Sequence, residues 1–283
     1  VPKQVAIITD STSDIPADLA AEHDIHVVPL YIHFGDETLR DGVDIDSEGF
    51  FRRLTTDPHH PKSSQPTPAD FEVAFNKIRG ETSAEEIVVI AISSALSGSY
   101  QSAMVAKGEV DFPVHVLDTR NVSMGETLIV LAAAEAAEGG ANAAEVMDVA
   151  RSLVPKVRLY FAVDTLEFLH KGGRIGAASK FIGTALSIKP LLHIHDGHVA
   201  PLERIRTKKR ALARLLDLVE ENHDPNRPII ATIGHGQAQD EADGVAQEFQ
   251  ARFQPEKLYR IEVGAAIGTH AGPGVVGAGF YQK

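Results

Sequence analysis

The sequence predicts an α/β fold in two parts: an N-terminal doubly wound, mostly parallel sheet domain over residues 1–157, and an α+β domain with a mixed or antiparallel sheet over residues 158–283. Three observations carry this. In the first half, short β-branched runs alternate with helix-like segments, and each run ends in a polar turn. Near Pro155 the pattern changes, and Asp196-Gly197 between two apolar runs is a hairpin signal. The chain has 283 residues, 43% of them hydrophobic, which exceeds one ordinary domain and suffices for a real core.

Composition excludes several function classes. A formal net charge of −12 disfavours nucleic acid, whose phosphates it would repel. No apolar run approaches the length of a membrane span. The opening VAIITDSTSD offers no leader-like segment, so the expected compartment is the cytoplasm. With no cysteine, disulfides, thiolate catalysis and Cys-based zinc sites are out.

Val5-Ala6-Ile7-Ile8 reads as the first strand, and Asp10 places a carboxylate at its end, where it serves neighbouring turn N–H groups or a ligand. Residues 25–32 read as a second strand, with a hairpin turn at Gly35-Asp36-Glu37, and residues 50–54 as a short helix. Residues 57–68 are loop. Thr67 precedes a Pro and then Asp70, the signature of a helix N-cap, and the helix continues over 71–78. A second reading has the Thr67 hydroxyl facing the same cleft as Ser93.

Residues 87–103 organise the chain. Residues 87–92 suit a buried parallel strand; Ser93-Ser94 stop it, and a helix follows Ser97-Gly98-Ser99. A strand, a hydroxyl-rich turn and a helix N-terminus favour an anion, and open α/β sheets bind ligands at the carboxyl ends of strands. Ser93 and Ser94 are therefore expected as ligand contacts, against the simpler reading of a hydroxyl turn serving only the backbone. A strand at 114–118, a buried helix at 124–137 and a helix capped by Asn142 with Glu145 complete the first half.

In the second half, residues 159–163 read as a strand and 165–169 as the start of a short helix, which stops at Lys171-Gly172-Gly173-Arg174. That turn is either a C-cap with exposed charges or a docking point for an anionic or protein partner; it lacks Walker spacing. Residues 187–195 and 199–206 form the hairpin. His193, His195 and His198 crowd it, but a solvated hairpin is read rather than a metal site. Thr207 caps a helix over 208–222. A strand at 228–233, a helix at 240–253 and a strand at 258–263 follow. Gly272, Gly274 and Gly277 formally match G-x-G-x-x-G, but no useful helix or following strand is expected before Lys283, so a dinucleotide is rejected. The glycines point instead to a backbone passing close to something, and His270 beside them suits a carboxylate.

Six segments together resemble the DegV family: residues 9–14 (TDSTSD), 63–67 (SSQPT), 93–100 (SSALSGSY), Asp118-Thr119, 169–175 (LHKGGRI) and 268–274 (GTHAGPG). They fall in matching order over essentially the whole chain. The resemblance implies a two-domain fold with a long-chain fatty acid between the domains and no other cofactor. It implies a carrier without catalysis of its own, which presents the carboxylate to a separate ATP-using fatty acid kinase subunit for acyl-phosphate formation. By motif it assigns the carboxylate contacts to Thr67, Ser93, Ser94 and His270. It puts Arg174 on the kinase-docking face, with Arg204 and Arg206 as further candidates. The family's Thr after the central Ser-Gly is Ser99 here.

The alternative is a Ser/His acyl hydrolase acting on lipid esters with His270 as base. It requires an activated serine and an orienting acid, and the G-x-S-x-G elbow is absent because Ala95 occupies its first glycine position. A phosphate-binding module is disfavoured because the central stretch carries no cation.

Overall fold

The computed structural model describes residues 4–182 and 188–283. β1 (Val5–Asp10) and β2 (Ile25–Val28) flank α1 (Ala17–Glu22). β3 (Tyr31–Phe34) and β4 (Glu37–Arg40) form a hairpin, α2 (Ser47–Thr56) follows, and β5 (Lys62–Ser64) pairs back onto β3. After α3 (Pro68–Glu81) come β6 (Glu86–Ala91), α4 (Ser99–Lys107), β7 (Val114–Asp118), α5 (Met124–Glu138) and α6 (Ala143–Leu153). β1, β2, β6 and β7 make a four-stranded sheet in the order β2-β1-β6-β7, parallel throughout. Its central strands, β1 and β6, are buried on both faces, as a helix-covered parallel sheet requires.

The second half supplies β8 (Arg158–Ala162), α7 (Glu167–Lys171), β9 (Lys189–His195), β10 (His198–Ile205), α8 (Lys208–Glu221), β11 (Ile229–Gly236), α9 (Gln239–Phe253), β12 (Lys257–Glu262), α10 (Ala265–Ala271) and β13 (Val275–Gln282). Its six strands run β10-β9-β8-β13-β11-β12; all neighbours are antiparallel except β11 and β12. The hairpin turns at Asp196 and Gly197, both at positive φ, as a two-residue turn demands. Ser187, the expected first residue of that hairpin, lies outside the described residues.

Helix α5 joins the halves. It is buried along nearly its whole length and touches β1 and β6 of the first sheet and β8, β11 and β13 of the second. That proximity accounts for the carboxyl-terminal glycines. A Cβ on Gly277 would lie 2.9 Å from Met124 Sδ, and one on Gly279 2.9 Å from the Met124 carbonyl oxygen.

Three expectations are corrected. The stretch expected as loop over 57–68 contains the short strand β5, held by its pairing with β3. The strand expected over 25–32 is two strands in different sheets, because Pro29 and Leu30 interrupt the ladder between β2 and β3. The expectation of no strand after the glycines also fails: Gly277 and Gly279 lie within β13, near the middle of the six-stranded sheet. Among the described residues no helix is long and apolar enough to cross a membrane.

Candidate functional site: an apolar cavity at the domain seam

In the order β2-β1-β6-β7 the chain reverses direction across the sheet between β1 and β6, which opens a crevice at their carboxyl ends. A cavity lies there, with about 780 Å³ of space between its lining atoms, its open mouth included. Both halves build it. Leu30, Ile92, Leu96 and Met124 come from the first, and Leu159, Phe161, Val199 and Val275 from the second. Transfer of apolar surface out of water is therefore what this cavity offers a ligand over most of its length.

Polar side chains gather at one end of it. Ser63, carried by β5, has its Oγ 2.7 Å from Nε2 of His270 on α10. Arg174 donates through Nε to the Leu96 carbonyl at 3.1 Å and through Nη1 to the Gly172 carbonyl at 2.8 Å, which holds its charge against the cavity wall. Gln65 lies against Gly98, where a Cβ would fall 2.9 Å from its Nε2, and Ser97 lines the same end. Thr12 and Ser123 also line the cavity, but their hydroxyls face buried acids, Asp10 and Asp14.

His270 is neutral at physiological pH: burial, then the Arg174 charge and His60, lower its pKa to about 4. Its Nδ1 is buried without a hydrogen-bond partner. Gly172 makes the room, since a Cβ there would overlap Nδ1. A serine and histidine at 2.7 Å resemble the start of a nucleophilic dyad. Activation would need an acid on the other ring nitrogen, and an unpartnered Nδ1 beside an arginine is the opposite arrangement.

The other expected head-group residues lie elsewhere. Thr67 is exposed and closes a capping box: its Oγ1 accepts from the Asp70 N–H at 3.2 Å and donates to Asp70 Oδ2 at 2.8 Å. Ser93 is fully buried and donates to the Gly197 carbonyl at 2.8 Å, on the hairpin tip. Ser94 is exposed and donates to Asp118 Oδ2 at 2.5 Å. The expected helix after the hydroxyl-rich turn is α4, which starts at Ser99, and Ser97 Oγ accepts the Ser99 N–H at 3.3 Å. Arg174, expected on an outer docking face, lines the cavity, whereas Arg204 and Arg206 are exposed. Arg204 stacks over Phe181 and donates to the Lys180 carbonyl. Among the described residues no cluster of three or more His, Asp or Glu is arranged for a metal; His193 and His195 stack on each other, and His198 Nδ1 lies 3.0 Å from the Asp196 carbonyl.

Sequence reasoning did not single out Ser63, Gln65 and Ser97, which line the cavity. Ser63 stands in the same SSQPT segment as Thr67, and what selects it is the pairing of β5 with β3, Ser63 opposite Ile32. That pairing joins segments about thirty residues apart and leaves no local sign.

A parallel-sheet domain and a mixed-sheet domain with an apolar cavity at their seam, polar at one end, make this a two-domain α/β protein. The DegV family model, described as "Uncharacterised protein, DegV family", matches residues 4–283. The chain belongs to the DegV family. It is 38% identical over 277 residues to a DegV domain-containing protein of Streptomyces coelicolor, covering 97% of each chain. It superimposes with a TM-score of 0.93 and 33% identity on a DegV family protein from Thermus thermophilus described for its fatty acid binding, covering 99% of this chain and 100% of that one. DegV of Bacillus subtilis, described as a fatty acid binding protein, gives a TM-score of 0.90 and 31% identity, with 99% and 100% covered.

Proposed function

We propose that the seam cavity holds one long-chain fatty acid. Its tail runs among Met124, Leu159, Phe161 and Val199, and its carboxylate is bound by Ser63 and His270 near the charge of Arg174. The observation that carries this reading is the Ser63–His270 pair at the polar end of an otherwise apolar cavity. Burial of the tail contributes about 0.8 kcal/mol per methylene but does not orient it. Orientation comes from the head group, since a buried carboxylate without donors is costly. The fatty acid binding of the Thermus and Bacillus relatives supports the same ligand class. Thr67, Ser93 and Ser94 are left out of the head-group set because their hydroxyls serve Asp70, Gly197 and Asp118.

In this reading the protein is a carrier. A separate ATP-using kinase subunit supplies the chemistry: a carboxylate oxygen attacks the γ-phosphoryl group of ATP, giving the acyl phosphate and ADP. The resemblance of the six motifs supports that step, and exposed Arg204 and Arg206 are the docking candidates. Mass spectrometry after denaturing extraction tests the binding claim. The parent protein should release a long-chain fatty acid, and a Ser63→Ala/His270→Gln double variant much less. Equal retention by both would remove the head-group assignment.

A further inference from the structure

Helix α10 is seven residues long and ends with His270 in its last turn. A helix start leaves several N–H groups without intrahelical partners, and Gly264 has no side chain to cap them. Two acids from the N-terminal half do so. The Gly264 N–H donates to Asp14 Oδ1 at 2.8 Å, the Ala265 N–H to Asp41 Oδ1 at 2.9 Å, and the Ala266 N–H to Asp41 Oδ2 at 3.2 Å. Asp41 Oδ2 also accepts from Ser11 Oγ at 2.8 Å, and Asp14 Oδ2 accepts from Ser123 Oγ. Asp41 is 4% and Asp14 8% exposed.

Asp41 directly follows β4, and its own N–H donates to the Leu30 carbonyl at 2.9 Å. It thus belongs to the three-stranded sheet whose other edge, β5, carries Ser63. One small sheet holds both ends of α10, the first turn through Asp41 and the last through Ser63 and His270. From Ala265 to His270 the helix rises about 7.5 Å, and a one-residue slip would swing the imidazole about 100° around the axis. We infer that Asp41, supported by Asp14, is the positioning residue that sets His270 against Ser63, so that the domain contact itself assembles the head-group site. Its role in selecting a carboxylate rests on the reading above. A carboxyl group is required, since its two oxygens face the Ala265 and Ala266 N–H groups and the Ser11 hydroxyl; Asn would turn an NH₂ toward a backbone N–H.

The test follows the His270 imidazole by NMR titration in the ligand-free full chain, where the facing titratable and charged groups are Arg174 and His60. The parent should titrate at about 4. In Asp41→Asn the loosened, wetter imidazole should titrate higher by about one pH unit or more, and preference for oleate over oleyl alcohol should fall about tenfold. Ser11→Ala, which removes the hydroxyl that donates to Asp41 and accepts the Leu30 N–H, should move His270 the same way by less, and it serves if Asp41→Asn does not fold. Parent-like titration in the variants overturns the positioning role. The head-group reading has its own control: if His270→Gln prefers oleate over oleyl alcohol as the parent does, that reading fails, while the titration still decides whether Asp41 positions the imidazole.

Discussion

One imidazole sets the pH behaviour of the cavity. Burial and Arg174 hold His270 neutral down to about pH 4. Its folded value lies below the ordinary 6.5, so its contribution to stability is present above 6.5 and lost as pH falls toward 4, at most about 3 kcal/mol. Asp10, Asp14, Asp41 and Glu126 act in the opposite sense: burial raises all four, so the fold favours their neutral forms and loses that contribution as pH rises above the ordinary carboxyl range. A bound carboxylate raises the pKa of His270. Calorimetry of oleate binding at about pH 5, in two buffers of different ionisation enthalpy, should therefore show proton uptake; none would mean that the head group does not reach the ring. Thr67 gives the complementary case. Thr67→Ala should cost about 1 kcal/mol through the lost cap, seen as a lower Tm, with oleate affinity unchanged. The hydroxyl types were legible in the sequence and their pointing was not: capping by Thr67 is a local pattern, whereas the selection of Ser63 depends on a strand pairing from far along the chain.

The β9–β10 hairpin roofs the cavity with Ile194 and Val199. Its tip is fastened to the first domain by Ser93 Oγ donating to the Gly197 carbonyl and by the Arg120 guanidinium donating to the Asp196 carbonyl. Gly197 is required twice, by its positive φ and because a Cβ would meet Ser93 Oγ. Ser93→Ala removes that bond to the hairpin tip, worth about 1 kcal/mol, together with the longer one that its Oγ accepts from the Ala95 N–H at 3.3 Å. Stopped-flow displacement of a fluorescent fatty acid should give an off-rate several-fold faster; an unchanged rate would show that the tip does not hold the roof. The Asp196-Gly197 turn could be read from two adjacent residues because that chemistry is local. The break at Pro29 and the placement of glycine-rich β13 could not, since packing against Met124 is what makes glycine acceptable in that strand.

Across the whole molecule, the two sheets are held together by buried α5 and by an apolar cluster that includes Phe50, Phe51 and Met124 from one half with Phe161, Leu192 and Val275 from the other. The alternation of strand and helix made both sheet types legible, because each depends on local periodicity. Their mutual placement, and with it the cavity, arises from contacts between distant segments. A ligand that bridges the halves should stabilise them together. Oleate at about 100 times its Kd should add about 2.7 kcal/mol, seen as a single unfolding transition shifted upward; two separate transitions would count against a shared core. The most direct measurement is a crystal structure of the oleate complex. The account predicts carboxylate oxygens within hydrogen-bonding distance of Ser63 Oγ and the His270 ring, with the tail running past Met124 and Phe161. A carboxylate at Thr67 or Ser94, or an oleate outside this cavity, would contradict it.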